Sequence, residues 1–250
     1  MKKLKIPFLF ALALILPAAA GGYFTALYQI DSLSANMLAE AAAQLGSVDI
    51  LVVITVVQSI GYALFCGFFG CLLARKLNLW KPFRLDKTPL LRMLLVSVAA
   101  GILFSLDYWV FGAVIPGLRE STAATLNWTV VLASVLYGGI IEEVMLRLFV
   151  MNLLAWLGWK LFFRSREEVP EKVVVTANIL AAILFAAGHL PATVMLFGNI
   201  TPVILLRCFL LNGGFGLLFG RLYRKHGIQY AMISHAMVHI VSKLIWFVLI

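Results

Sequence analysis

The sequence predicts an all-α fold, a polytopic transmembrane helix bundle of about seven spans. Of its 250 residues, 63% are hydrophobic and 12% are charged, whereas soluble domains carry about 45–50% apolar and about 25% charged residues. The mean hydropathy is +1.01. Apolar stretches near the length of about 20 residues that a helix needs to cross a bilayer recur along the chain. These observations exclude a soluble globular domain.

Seven apolar stretches are candidates for membrane-spanning helices. They lie at 6–28, 51–73, 94–115, 126–159, 173–190, 201–220 and 228–250. The first stretch follows a basic start at 1–5, and its small residues at 18–21 resemble a signal-peptide cleavage site. Because the apolar stretch continues beyond these residues, we expect an uncleaved first helix.

The basic residues indicate the orientation of the chain. Of the twenty Lys and Arg residues, sixteen lie at the N-terminus and in three segments, 75–92, 160–172 and 221–225. The loops on the opposite side contain only Arg119. Because basic loops stay in the cytoplasm, we predict a multi-pass protein of the cell membrane with a cytoplasmic N-terminus. The same pattern accounts for the net charge of +9, so we expect membrane lipids and no nucleic acid as partners.

Three ionisable residues, Glu142, Glu143 and Arg147, interrupt the fourth apolar stretch. Each ionised group at the centre of a membrane helix costs roughly 2.5–3.5 kcal/mol unless it is paired or faces a wet cavity. Glu143 and Arg147 are four residues apart and can pair on one helix face. Glu142 points about 100° away from Glu143. The spacing therefore predicts one carboxylate held by arginine and one free for chemistry.

Three histidines lie in other apolar stretches, His189 in the fifth and His235 and His239 in the seventh. Counted from the nearest basic loop, Glu142 and His189 are 18 and 17 residues deep, whereas His235 and His239 are 10 and 14 residues deep. At about 1.5 Å per residue these depths differ by at most roughly 12 Å, which helix tilt can absorb. We therefore expect Glu142, His189 and His235 to line one cavity.

These side chains match the needs of peptide hydrolysis, which are an activated water, oxyanion stabilisation and a proton for the leaving amine. A carboxylate with an imidazole can activate water, and further imidazoles can donate to the oxyanion. Alternatively, Glu142, His189, His235 and His239 could hold zinc, which would activate the water. The spacing of His235 and His239 places two imidazoles on one helix face, as zinc accepts. The residues leave both versions open.

Three motifs, in order, resemble the CAAX protease and bacteriocin-processing family of intramembrane endopeptidases, which includes the type II CAAX prenyl endopeptidases. The family patterns EExxxR, FxxxH and HxxxN or HxxxD correspond here to EEVMLR at 142–147, FAAGH at 185–189 and HAMVH at 235–239. The chain departs from the family at His239, where Asn or Asp is usual.

The resemblance covers about 125–240 and implies an N-terminal helical part at 1–124 and a catalytic transmembrane core at 125–250. It implies an endopeptidase that cleaves a membrane-anchored or prenylated-type peptide or protein at a site that opens toward the cytoplasm. The implied catalytic residues are Glu142, His189, His235 and His239. The resemblance favours a metal-free site without cofactors, although family members are often labelled metalloproteases and His239 makes zinc more plausible here.

Two other classes of function fit an apolar helix bundle. One is a non-proteolytic bacteriocin-immunity factor or membrane scaffold with the same fold, and the other is a transporter that uses the charges as a proton relay. A scaffold would not need Glu142 together with convergent histidines. A transporter would show inverted halves with paired broken helices, and the sequence shows no such symmetry. The enzyme is therefore the favoured interpretation.

The remaining polar and special residues are given structural roles. Arg147 is expected to pair with Glu143, Phe185 to pack beside His189, and Asp107 to pair with Arg207 at matching depth. Lys243 is expected to extend to the outer surface, and His226 to lie in a loop. The odd number of cysteines and their spacing argue against disulfides and metal binding, so we expect buried packing residues at Cys66, Cys71 and Cys208.

Overall fold

The computed structural model describes the backbone of residues 2–250 and the side chains of residues 4–250, so Met1 of the basic start lies outside the described residues. Seven helices in this part of the chain are long and apolar enough to cross a membrane. They are α1 (Leu4–Ser32), α2 (Asp49–Lys76), α3 (Lys87–Ala113), α4 (Trp128–Phe162), α5 (Glu171–Phe197), α6 (Pro202–His226) and α7 (Ile228–Leu249). Residues 2–250 contain no β-strand. The predicted all-α bundle with seven spans is confirmed.

Two short helices connect spans on the face opposite the basic loops. One is Ala35–Leu45, where the Ser34 hydroxyl caps the first turn by accepting a hydrogen bond from the Met37 N–H at 3.3 Å. The other is Leu118–Thr125. It follows Gly117, whose φ of 79° is a left-handed conformation that glycine adopts without strain. The second helix packs against α1 and α3.

The predicted end of α5 is wrong. The first segment ends at Gly188, and a second segment, Leu190–Phe197, continues the span. Pro191 is compatible with this continuation because it lies in the first turn of the second segment, where its missing N–H has no helical partner to lose. His189 therefore lies at a break inside the span. His226 is the last residue of α6, rather than a loop residue as predicted.

Helix α4 is at the centre of the bundle and is wound unusually widely. It has π-helical hydrogen bonding over Ser134–Glu142 and Val144–Met151. Such wide turns are rare and are frequently found at functional sites. Small residues let the neighbouring helices approach closely: a Cβ on Gly139 would lie 2.9 Å from the Ala236 Cβ of α7. The first half of α4 thus packs directly on α7.

The other half of α4 packs on α2, α5 and α6. Buried apolar residues of α4, among them Ile141, Leu148 and Met151, join the main hydrophobic core. The three cysteines are buried and free, as predicted. The small residues at 18–21 lie inside α1, where Ala18 and Gly21 are buried against the bundle.

Candidate active site

A cavity of about 340 Å³ lies inside the bundle. Side chains from α1, α3, α4, α5, α6 and α7 line it, and these include Glu142, His189, His235 and His239. The prediction that Glu142, His189 and His235 line one cavity is confirmed. The break in α5 brings His189 to this cavity, and the inward face of α7 brings His235 and His239.

The two adjacent glutamates have different surroundings, as their rotation on the helix predicts. Glu142 lines the cavity and makes no hydrogen bond or ion pair with any of the described side chains, those of residues 4–250. Glu143 is 0% exposed. Its Oε2 lies 3.3 Å from Arg147 Nε, so the predicted ion pair is present. The free carboxylate at the cavity is therefore Glu142.

Glu143 has a second contact that the sequence did not predict. Its Oε1 lies 2.9 Å from the Nδ1 of His235. A carboxylate only accepts hydrogen bonds, so Nδ1 of His235 carries the hydrogen and donates it. Glu143 therefore holds both the arginine of its own helix and the first histidine of α7.

Arg147 is buried beneath the site at 1% exposure. One Nη donates to the main-chain oxygen of Gly216 at 3.1 Å, while Nε has no hydrogen-bond geometry to Glu143. The guanidinium lies over the rings of Phe185 and Phe219, at 4.8 and 5.7 Å from their centroids. These aromatic faces stabilise a buried cation. The structural role predicted for Arg147 agrees with these contacts.

Phe185 and the main chain of its helix position His189. The two rings meet edge to face with centroids 4.7 Å apart, as predicted. The Nδ1 of His189 lies 2.8 Å from the carbonyl oxygen of Phe185. Because a carbonyl only accepts, Nδ1 carries the hydrogen, and in the neutral ring Nε2 has a free lone pair. His189 can therefore accept a proton or hydrogen bond at Nε2.

The histidines of α7 contact each other through Nε2 atoms that are 3.2 Å apart. His235 is stacked on Phe219 with ring centroids 4.4 Å apart. His239 meets the ring of Phe104 edge to face at 5.4 Å. Both imidazoles are therefore packed against aromatic rings. The spacing of four residues predicted a shared face, and the structure agrees.

Gly138 leaves open space at the point where the polar groups meet. A Cβ at this position would lie 3.6 Å from His239 Nε2 and 3.7 Å from both Glu142 Oε2 and His235 Nε2. Gly138 therefore forms part of the wall of the site. A water or a substrate atom can occupy the space that a side chain would fill.

Lys243 does not extend to the outer surface, so that prediction is wrong. The side chain is buried at 4% exposure and lines the cavity. Its Nζ lies 3.1 Å from the Nδ1 of His239. Lys243 lies in the cavity because it is four residues after His239 and eight after His235, so all three share one helix face. This spacing is the sequence signal that could have identified Lys243.

Asp107 and Arg207 form the predicted ion pair. Two parallel hydrogen bonds join them, Nε to Oδ1 at 2.7 Å and Nη to Oδ2 at 2.6 Å. Both residues line the cavity. The pair connects α3 to α6 and contributes a polar patch to the cavity wall.

The cavity extends away from the basic loops, so the expectation that the site opens toward the predicted cytoplasmic face is wrong. Its lining continues to Tyr28, Thr125 and Phe197, which lie at helix ends on the opposite face. Glu142 is 14 residues from the start of α4 and His189 is 8 from the end of α5, so both lie nearer that face. Toward the basic face, the buried core residues Leu148, Met151, Phe219 and Tyr223 close the bundle.

Among residues 2–250, no group of three or more His, Cys, Asp or Glu side chains is arranged so that it could hold a metal ion. The zinc alternative therefore stays a prediction that metal analysis can test.

The fold and the site together define a class, a multi-pass membrane protein with glutamate and histidine side chains around an intramembrane cavity. Residues 124–241 match the family model described as type II CAAX prenyl endopeptidase Rce1-like. This part of the chain is therefore similar to that protease family, in agreement with the three motifs. No curated protein and no solved structure matches the chain.

Proposed function

We propose that this protein is an intramembrane endopeptidase that cleaves a peptide bond in a membrane-anchored or prenylated-type substrate. The observation that carries the proposal is the convergence of Glu142, His189, His235 and His239 on one cavity inside membrane-length helices. The match of residues 124–241 to a protease family supports it. The unpartnered carboxylate is the group that a scaffold would not need.

Glu142 and His189 activate the water. The Glu142 carboxylate is unpaired in residues 2–250, and the Nε2 of His189 has a free lone pair, so both accept hydrogen bonds from one water. As the water oxygen attacks the carbonyl carbon of the substrate, Glu142 takes one of its protons. This is general-base catalysis, which contributes typically 10²- to 10⁴-fold to a rate.

His239 stabilises the oxyanion of the tetrahedral intermediate. Since His235 donates its Nδ1 hydrogen to Glu143, the Nε2 of a neutral His235 is an acceptor. With its own hydrogen on Nε2, His239 donates to this acceptor in the resting site and can donate to the oxyanion during the reaction. When the intermediate collapses, the C–N bond breaks and Glu142 returns its proton to the leaving amine.

The cavity suits a substrate that is partly apolar and enters from the face opposite the basic loops. Apolar side chains such as Leu126, Leu196 and Trp246 alternate in its lining with hydroxyl groups and the Asp107–Arg207 pair. A volume of about 340 Å³ lies within the range of about 300–1,000 Å³ for ligand pockets. With basic loops in the cytoplasm, as predicted, the substrate approaches from the outer side of the cell membrane.

Cleavage by the purified protein tests the function. We expect a farnesylated peptide in detergent or nanodiscs to be cut by the wild type and not by Glu142→Gln, with products identified by mass spectrometry. An unprenylated peptide and a single-span membrane peptide define the substrate class. If none of the three is cut under any condition, the non-proteolytic alternative is favoured.

Elemental analysis of the same preparations tests the metal. A metal-free site retains activity with a chelator, and His239→Asn retains much of it because the amide also donates a hydrogen bond. One equivalent of zinc in the wild type, lost together with activity in His239→Asn, would establish the zinc alternative.

Thiol labelling of intact cells tests the direction of access. Thr125→Cys at the cavity rim is expected to react with a membrane-impermeant reagent, whereas Phe83→Cys, exposed in the basic loop, is not. The natural cysteines are buried and give little background. Labelling of Phe83→Cys alone would reverse the orientation.

A further inference from the structure

We propose that Lys243 is a positioning residue of the site, because its side chain fixes which nitrogen of His239 carries the hydrogen. This inference rests on the proposed function for its catalytic meaning. The contact itself is independent of that function.

The surroundings of Lys243 are unusual for a buried lysine. Its side chain is 4% exposed and has no ion pair with a carboxylate among residues 2–250. Its nearest polar contact is His239 Nδ1 at 3.1 Å, and its Nζ lies 5.7 Å from the centre of the Trp246 ring. Burial of a cation without a counter-charge is costly. A lysine at this position therefore destabilises the fold more than an apolar residue would, which argues against a role in packing alone.

Lys243 is one end of a continuous chain of polar contacts. The chain runs from Lys243 Nζ to His239 Nδ1 at 3.1 Å, from His239 Nε2 to His235 Nε2 at 3.2 Å, and from His235 Nδ1 to Glu143 Oε1 at 2.9 Å. Three of its members lie on one face of α7. The fourth lies on α4 beside Glu142.

The groups at the two ends of this series of polar contacts determine which nitrogen carries each hydrogen between them. An ammonium group only donates hydrogen bonds and a carboxylate only accepts them. In its ammonium form, Lys243 donates to Nδ1 of His239, which leaves the hydrogen of that neutral ring on Nε2. His239 then donates to Nε2 of His235, and His235 donates to Glu143. The reverse assignment would bring two hydrogens together between Lys243 and His239.

The consequence for catalysis is that His239 keeps a donor, rather than a lone pair, in the cavity. An oxyanion needs a donor, and the alternative tautomer would present a repelling lone pair. An asparagine, which the family usually has at this position, carries its N–H₂ permanently and needs no such partner. With Lys243 bound at Nδ1, His239 presents an N–H donor at Nε2, as the amide of an asparagine would at this position.

Nitrogen NMR of the intact protein tests the tautomer without any assay of cleavage. The chain has four histidines, so single substitutions can assign the ¹⁵N-labelled ring signals. We expect His239 to carry its hydrogen on Nε2 in the wild type and to become a mixture of tautomers in Lys243→Met. A wild-type His239 with its hydrogen on Nδ1, or one unaffected by Lys243→Met, would overturn the inference whether or not the protein is a protease.

A double-mutant cycle tests the catalytic meaning. Lys243→Met is expected to lower kcat by about 10- to 100-fold with little change in KM, up to the lower end of the effect of losing one oxyanion donor. In the His239→Asn background the same substitution is expected to change kcat by less than about twofold, because the amide needs no partner. Equal losses in both backgrounds would show that Lys243 acts only through packing.

Ser242→Ala is the matched control for this cycle. Ser242 is equally buried on α7, but its hydroxyl donates only to the main-chain oxygen of His239 at 3.2 Å. We expect Ser242→Ala to leave kcat and the ring signals of His239 unchanged. A loss of kcat as large as that of Lys243→Met would mean that any change in this part of α7 disturbs the site, and would also overturn the inference.

Discussion

Polar side chains have different partners in the two halves of the bundle, the half toward the basic loops and the half around the cavity. In the first half, pairs of buried polar side chains hydrogen-bond to each other: Asn152 donates to the Tyr223 hydroxyl at 2.6 Å, and the hydroxyls of Ser97 and Ser234 are 2.7 Å apart. In the cavity half, Glu142 has no such partner in the described chain. One half therefore stabilises the bundle, whereas the other keeps a group available for reaction.

The boundary between the two halves passes between two consecutive residues. Glu143 faces the packed half and holds Arg147 and His235, while Glu142 faces the cavity. A helix turn of about 100° per residue is enough to separate them. The role of a charged residue in a membrane helix therefore depends on the helix face that it occupies, since two glutamates of equal charge have different roles here.

Glu142→Gln is expected to have the largest effect, and on activity alone. The amide cannot take a proton from water, so kcat falls by about 10²- to 10⁴-fold. The unfolding temperature in detergent stays within error of the wild type, because Glu142 has no partner to lose. A marked loss of stability would show that Glu142 belongs to the packed half.

Glu143→Gln is expected to act on stability first. It leaves Arg147 buried without its counter-charge, which costs roughly 3–5 kcal/mol, measured as the free energy of unfolding in detergent. Because Glu143 also holds His235 at 2.9 Å, we expect activity to fall as well, which the predicted ion pair with Arg147 alone would not imply. A stable and fully active Glu143→Gln protein would contradict both contacts.

Two adjacent glycines give a sharper test of the same boundary. A methyl on Gly139 meets the Ala236 Cβ at 2.9 Å, and such overpacking costs typically about 1–3 kcal/mol. A methyl on Gly138 has ordinary contacts of 3.6–3.7 Å with the histidines and Glu142. We therefore expect Gly139→Ala to lower the unfolding temperature and Gly138→Ala to lower kcat. If Gly138→Ala instead lowered the unfolding temperature and Gly139→Ala lowered kcat, the cavity would face Gly139 and not Gly138.

Glu171→Gln is expected to have the smallest effect. Its carboxylate accepts from Arg224 at 2.7 Å, but its side chain is 81% exposed. Surface ion pairs contribute about 0–1 kcal/mol. Cleavage and unfolding temperature are expected to match the wild type, and a large change in either would reveal a contact beyond this surface pair.

The seven spans, the Glu143–Arg147 pair and the meeting of Glu142 with the histidines were predictable from the sequence. Span number follows from hydropathy, because every helix that crosses a bilayer needs a continuous apolar length. The Glu143–Arg147 pair follows from a spacing of four residues on one helix. The motifs indicated which residues of α4, α5 and α7 belong together, and their depths along the spans allowed the contact.

Only the tertiary structure decided which way the cavity opens and what lies around it. No local pattern records that the helix ends around Tyr28, Thr125 and Phe197 leave a space while those on the basic side pack closely. For Lys243, distance along the helix favoured the outer surface, but the packing of α7 turned its face, with His235 and His239, into the cavity. Residue spacing specifies which side chains share a helix face, whereas contacts between helices determine where that face points.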